Sequence, residues 1–360
     1  MSMLSKLEVS QKDSVIEQPE YITVNEEHVL NRLMGDDVVF FTGAGFSKAW
    51  HKDYPSGMSL FSIKDFDEQK EKYNFFKVAE ELAIDKPSSS PESKEYEKEC
   101  ADYFKAIKFH LDTFRRYPSL LPRNLDKTEI EALEEEIRNF VKQRFEETVG
   151  VSEFDPKDLT KSNPKMIKLF KSLHNDKTNI SFVSTNYDYI IEKIFCEDNN
   201  LDFTRGVINK NVFDNKCWCT ERIPLYKING GFEIKKGNSG FFADYQKHED
   251  TPQIILPSQD QLYDDKYFKA VFLKSVDKLR EAKTLVFIGY SMPEEDHTIQ
   301  FLLKNFMHGN NKDKLIYVIN RNADSASKPA SVLAKLFKDI SQNEGLYILD
   351  GDINSLSDAI

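Results

Sequence analysis

Five short stretches constrain the fold of this 360-residue chain more than anything else in it: Val38-Val39-Phe40-Phe41, Ile180-Ser181-Phe182-Val183, Leu285-Val286-Phe287-Ile288, Leu315-Ile316-Tyr317-Val318-Ile319 and Leu346-Tyr347-Ile348-Leu349. A strand with one wet face alternates apolar and polar residues. These are apolar almost throughout, as strands covered on both faces are, and helical patterns separate them. The order predicts an α/β fold with a doubly wound parallel sheet and helices on both sides.

Helix signals follow several of these strands. In Gly289-Tyr290-Ser291-Met292-Pro293-Glu294, Ser291 and Glu294 have capping-box spacing and Pro293 suits a first helical position, so a helix is expected to start there. Its apolar residues Ile299, Leu302, Leu303 and Phe306 fall on one stripe. A buried helix is expected over Tyr189 to Phe195, entered at Asp188. Between the first two strands, residues 61–176 are rich in Lys, Glu and Phe and lack a strand pattern. That is too long for a loop. Helical periodicity over Asp67 to Ala83, Ser93 to Phe114 and Thr128 to Phe145 predicts a helical insertion subdomain. Residues 1–25 read as a polar arm, and 26–360 as one domain interrupted by the insertion. Cys196 to Pro257 reads as an irregular connection with short extended pieces, of the kind that often serves a site.

Composition narrows the function. Against 49 Lys+Arg stand 60 Asp+Glu, a net charge of −11, so long-range attraction to nucleic-acid phosphates is absent on average and direct nucleic-acid binding is not expected. No apolar run approaches the roughly 20 residues of a membrane span, and the first residues lack the apolar core of a signal peptide. A cytoplasmic protein with no membrane association is expected. Cys100, Cys196, Cys217 and Cys219 do not form a disulfide framework, and with only Cys217-Trp218-Cys219 closely spaced no zinc or other metal is expected. No Gly-Lys-Ser/Thr phosphate loop occurs, so an ATPase is unsupported.

Three polar clusters sit where strands end: Thr42-Gly43-Ala44-Gly45-Phe46-Ser47, Ser184-Thr185-Asn186-Tyr187-Asp188 and Gly289-Tyr290-Ser291. Two glycines after a strand let backbone amides approach a diphosphate. A tight turn without a ligand satisfies the same pattern, and Asn186, Asp188 and Ser291 taken singly are equally suited to helix capping. In a doubly wound sheet, however, ligands lie beyond the carboxyl ends of the strands, where all three clusters would converge.

Gly43-Ala44-Gly45-Phe46-Ser47, Thr185-Asn186-Tyr187-Asp188 and Leu285 through Ser291, in that order with a helical insertion after the first, resemble the Sir2-like proteins. The likeness spans Asp36 to Asn320 and is greatest to the bacterial branch of anti-phage defence. The resemblance implies a Rossmann-like NAD-binding fold. It would place the diphosphate on Gly43, Ala44, Gly45, Phe46 and Ser47, and the nicotinamide and its ribose beside Thr185, Asn186 and Asp188. Gly289, Ser291 and the strand-end Asn320 would hold the adenosine half. It further implies cleavage of the nicotinamide–ribose bond, a step that develops an oxocarbenium-like ribose and needs an orienting amide and a nearby negative charge. An NAD+ hydrolase acting as a defence effector by NAD+ depletion is expected, as a homo-oligomer and with a defence-system partner such as a hexameric ATPase.

One residue departs from the family pattern. Where a His-Gly pair is usual, this chain reads Lys227-Ile228-Asn229-Gly230-Gly231, and Asn229 cannot take a proton at neutral pH although its amide can hold a hydroxyl or water. A module that only binds NAD or an ADP-ribose-like nucleotide, as sensor or assembly subunit, is therefore the rival expectation. His51, His248 and His297 read as surface or packing residues, with His51 the best placed to substitute.

Overall fold

The structure is a computed structural model that describes residues 21–120, 125–197, 200–206, 218, 222–238, 240–246, 249–256, 265–293, 296–309 and 313–360. Its centre is an eight-stranded sheet of β1 (Ile22–Val24), β2 (Asp37–Thr42), β3 (Asn179–Ser184), β4 (Phe203–Thr204), β5 (Ile223–Lys227), β6 (Thr284–Ile288), β7 (Leu315–Ile319) and β8 (Leu346–Leu349). Their spatial order is β1-β8-β7-β6-β2-β3-β5-β4. Every neighbouring pair is parallel.

The six inner strands, β5-β3-β2-β6-β7-β8, have the order of a Rossmann-type sheet, in which strand addition reverses direction between β2 and β6. The α/β, doubly wound expectation is met. Successive side chains of a strand point to opposite faces. Val38, Phe40, Phe182 and Val286 enter one apolar core, while Val39, Phe41, Val183, Leu285 and Phe287 enter the other. Helices Glu26–Leu33, Pro164–Asn175 and Ile353–Asp358 cover the first face. Lys266–Glu281, His297–Lys304 and Ala323–Leu336 cover the second.

The five expected strands are present, with ends extended by at most one residue. Three more join them. β1, within the expected arm, pairs with β8; β5 and β4, within the expected irregular connection, continue the sheet beyond β3. One expected helix start is corrected. The helix after β6 begins at His297 behind Asp296, not at Ser291. Gly289 and Met292 adopt left-handed φ values of 63° and 51°, so the backbone turns where a first helical turn was expected. Glu294, the partner in that capping box, lies outside the described residues.

Every regular element among the described residues of the insertion is helical. Phe66–Lys72 and Asn74–Glu81 meet at Tyr73, whose extended backbone (φ −128°, ψ 126°) divides the single stretch expected there. Lys94–Arg116 starts at the Ser93 cap and Lys127–Val149 at an Asp126/Glu129 capping box. The rings of Phe75, Phe76, Phe104 and Phe140 form their core, Phe104 and Phe140 stacking at 5.1 Å. Pro164–Asn175, the end of the same stretch, belongs to the sheet: Phe170 packs edge-on against Phe40 at 5.1 Å. The insertion and the sheet share one core, because Phe145 and Phe154 reach Phe232 at 4.9 and 5.4 Å.

Between the two long helices Glu134 is buried among Arg115, Lys108 at 3.3 Å and Arg138 at 3.4 Å. Removing a buried partner leaves uncompensated charge and typically costs about 3–5 kcal/mol. Because Arg115 is partly exposed, Glu134→Ala is expected at the lower end, about 3 kcal/mol, read from the urea unfolding midpoint; a loss below about 1 kcal/mol would show that the cluster contributes nothing to the insertion.

Candidate functional site

Parallel register sets the strand ends in a row. Ile319 pairs with Ile288, Ile288 with Thr42, Thr42 with Ser184 and Ser184 with Lys227. The turns that follow these residues therefore emerge side by side at the carboxyl edge, astride the point where strand addition reverses.

The turns after β2 and β6 interlock. Gly43 N donates to Ile288 O at 3.1 Å and Gly45 N to Gly289 O at 2.8 Å. A Cβ on Gly45 would stand 2.5 Å from Gly289 Cα, and one on Gly43 2.8 Å from Tyr290 Cα. The glycines expected to admit a diphosphate are thus required first by contact between two backbones, and two of their amides are committed to it.

The turn after β3 closes on the same loop. Thr185 N and Oγ1 donate to Thr42 O at 3.1 and 3.3 Å. Asn186 Nδ2 donates to Gly43 O at 2.8 Å and to Ser47 Oγ at 2.9 Å, and Ser47 Oγ donates to Asp188 Oδ2 at 2.5 Å. Both amide hydrogens of Asn186 are used, so its Oδ1 is the atom left to serve a ligand, as an acceptor. Asp188 Oδ1 receives Ile190 N at 3.2 Å and so helps start the short helix Ile190–Ile194. Burial pushes the Asp188 carboxyl up, against the opposing pull of Ser47 and Lys227. Capping thus explains part of Asp188 and neither side-chain hydrogen bond of Asn186.

Asn229 adjoins this cluster. Its Nδ2 donates to Thr185 O at 3.3 Å and its carbonyl accepts from Ile255 N at 2.9 Å. Gln253–Ile254 pairs with Gly230–Gly231, and Tyr187 Oη donates to Ile255 O at 2.7 Å. The other expected site residues divide. Ala44 opens the helix Ala44–Trp50; the Phe46 ring turns into the core against Phe170; Ser291 is exposed. Asn320 donates to Ser325 O at 2.9 Å and accepts from Arg321 N, at the head of the helix after β7. Gly289 N reaches Ile319 O at 3.2 Å, which places Asn320 next along the row. His51 lies beside Asp53 and His297 opens its helix, while His248, Cys217 and Cys219 fall outside the described residues. Trp218 is buried against Tyr226. Among the described residues no group of three or more His, Cys, Asp or Glu is placed to hold a metal, and no helix is long and apolar enough to cross a membrane.

Beneath the cluster lies a buried set of charges that sequence reasoning missed. Lys227 Nζ donates to Asp188 O at 2.5 Å and pairs with Glu192 and, at 3.4 Å, with Glu233. Arg205 pairs with Glu233 and, at 3.4 Å, with Glu192, and donates to Tyr267 Oη at 3.0 Å. One signal was available: Glu192 and Lys193 interrupt the apolar run from Ile190 to Phe195, where a charge must find a buried partner.

Residues 180–341 match the family model described as SIR2-like domain. No curated protein sequence matches the chain. Solved structures similar to it include a Sir2–p53 peptide–NAD+ complex, with TM-score 0.44, 11% identity, and coverage of 93% of this chain and 97% of that one. A Sir2 homolog–NAD complex gives TM-score 0.39 and 12% identity over 94% of this chain and 93% of that one. A third, concerned with the mechanism and regulation of Sir2 enzymes, gives TM-score 0.41 and 11% identity over 92% and 94%. The fold rests on the strand order, and the SIR2-like similarity on residues 180–341 alone. The matched residues, similar to a SIR2-like domain, include Thr185–Asp188 and Leu285–Ser291, two of the three strand-end motifs that led one to expect this likeness, while Gly43–Ser47 lies before them.

Two outcomes test this site. Gly45→Ala drives a methyl into Gly289, and overpacking of this kind costs about 1–3 kcal/mol; a thermal midpoint within a degree of wild type would show that the loops do not interlock. Burial lowers Lys227 to about 8, whereas a free lysine titrates near about 10.4. The unfolded chain then holds more protons across that interval, so this residue makes stability rise from about pH 8 to 10. A Lys227→Met variant should show a shallower rise in the urea midpoint over that window than wild type; equal slopes would contradict the assignment.

Proposed function

We propose that this protein hydrolyses NAD+ at the nicotinamide–ribose bond and acts in anti-phage defence by depleting that nucleotide. The supporting observation is the Ser47–Asn186–Asp188 hydrogen-bonded cluster at the reversal point of a sheet whose strands β3 (from Ile180) to β7 lie in the residues that match a SIR2-like domain. NAD+ suits that place chemically. Gly43, Ala44, Gly45 and Ser47 would border the diphosphate, Thr185, Asn186 and Asp188 the nicotinamide riboside, and Gly289, Ser291 and Asn320 the adenosine.

In the reaction the C–N bond breaks, nicotinamide leaves with the bonding pair as a neutral base, and water adds to ribose C1 and loses a proton. The products are nicotinamide, ADP-ribose and H+. Positive charge gathers on the ribose as the bond lengthens, and the acceptor Oδ1 of Asn186 and the Asp188 carboxyl are the groups here that oppose it. Asn229, with its amide directed to Thr185 O, offers a hydrogen bond to a hydroxyl or water but no base. A missing general base typically removes about 10²–10⁴-fold of rate, so slow turnover is expected.

The same residue supports a second reading, a nucleotide-binding sensor or assembly subunit without turnover. Free nicotinamide released from NAD+ separates the two. Under hydrolysis, Asn186→Ala lowers release at least about 100-fold and Asn229→His preserves or raises it. Tight NAD+ binding by calorimetry with no release from wild type or Asn229→His establishes the sensor instead.

A further inference from the structure

Lys227, Arg205, Glu192 and Glu233 are each 0–2% exposed and sum to zero charge. Buried ion pairs are often replaceable by apolar residues without loss of stability, so stability alone is a weak reason for four charges in one core. Their arrangement supplies another. Lys227 ends β5, and from there one ammonium touches three separate pieces: the Asp188 carbonyl in the turn after β3, Glu192 in the helix Ile190–Ile194, and Glu233 just past the Asn229 turn. Arg205, one residue beyond β4, bridges the same two carboxylates from the far side and is itself tied to Tyr267 in Lys266–Glu281. The ring of Tyr189 lies 5.1 Å from Lys227 Nζ.

We propose that Lys227 is a positioning residue: its ammonium fixes the main-chain carbonyl of Asp188 and so holds Asp188 and Asn186 in register with Ser47. The proposal deepens the hydrolase reading and rests on it only for its kinetic consequence. A lysine suits the task because an ammonium is a compact charge with three donors, enough for one carbonyl and two carboxylates. Glu192 and Glu233 keep it charged in a dry site, and Arg205 offsets the carboxylate charge left over.

The test compares full-length wild type, Lys227→Met, Lys227→Arg and the distant Glu134→Ala. Backbone hydrogen exchange over residues 184–195 and steady-state nicotinamide release are read for each. In Lys227→Met, exchange in that segment is expected to quicken at least about tenfold more than elsewhere, with kcat down about 100-fold and KM changed less than about threefold. Lys227→Arg should recover slow exchange and at least about tenfold of kcat. Glu134→Ala should show neither effect, although it is destabilised.

Unchanged exchange at 184–195 in Lys227→Met overturns the proposal. So does quickening spread evenly over the chain, which marks a purely structural lysine. If wild type releases no nicotinamide, the hydrolase reading falls and the exchange comparison still decides the role of Lys227. If Lys227→Met does not fold, Lys227→Gln takes its place in the same comparison.

Discussion

The close approach of two backbones, Gly43 and Gly45 against Gly289 and Tyr290, is the constraint on which the rest of the site depends. Parallel pairing aligns the ends of β2 and β6, but alignment alone leaves adjacent turns free to splay. Without Cβ atoms the turns come close enough for Gly45 N to reach Gly289 O, and the first loop is then fixed as a platform. Asn186 and Thr185 dock on that platform through main-chain oxygens of Gly43 and Thr42, and Asn229 docks on Thr185 in turn. Three segments widely separated in the chain are thus joined by backbone acceptors, which leaves the Asn186 carbonyl for a ligand.

Electrostatics complete what packing begins. Asp188 is buried with its two oxygens held by Ser47 and the Ile190 amide, and Lys227 holds the carbonyl of the same residue from below. The charged quartet stands between this turn and the helix Lys266–Glu281, so the site is braced from the second face of the sheet. From the first face it is braced by the insertion, through Phe145 and Phe154 on Phe232 and through Glu153, which accepts from Tyr54 and pairs with Lys193 at 3.1 Å.

Legibility followed the strength of the physical signal. The five central strands were readable because burial on both faces forces continuous apolar sequence. β1, β4 and β5 were not, since edge strands of two or three residues such as β1 and β4 need no such run, and Pro224 and Lys227 give the inner β5 the look of a loop. The glycine turn and the Asn186–Asp188 motif were legible as clusters that meet beyond the strand ends, and of the two reasons the glycine pattern allowed, ligand approach or a tight turn, the contact with Gly289 and Tyr290 supplies the second. Phe46 illustrates the converse: it sits inside the motif, but its ring serves the core. The helix expected from Ser291 failed because capping spacing is local, while the backbone there is bent by the turn that carries Gly289.

The sequence by itself determined the class of fold, the order of its strands along the chain, the helical insertion and the three motifs that meet at the carboxyl edge. Each is encoded by residues close together in the chain: an apolar run, a 3.6-residue stripe, a glycine pair. Only the tertiary structure decided which hydrogens of Asn186 are spent, that Lys227 lies under Asp188, and that Arg205, Glu192 and Glu233 form one neutral group. Those outcomes depend on pairings between residues up to about 140 positions apart, and a buried charge or amide chooses its partner by proximity in space, which no local pattern records.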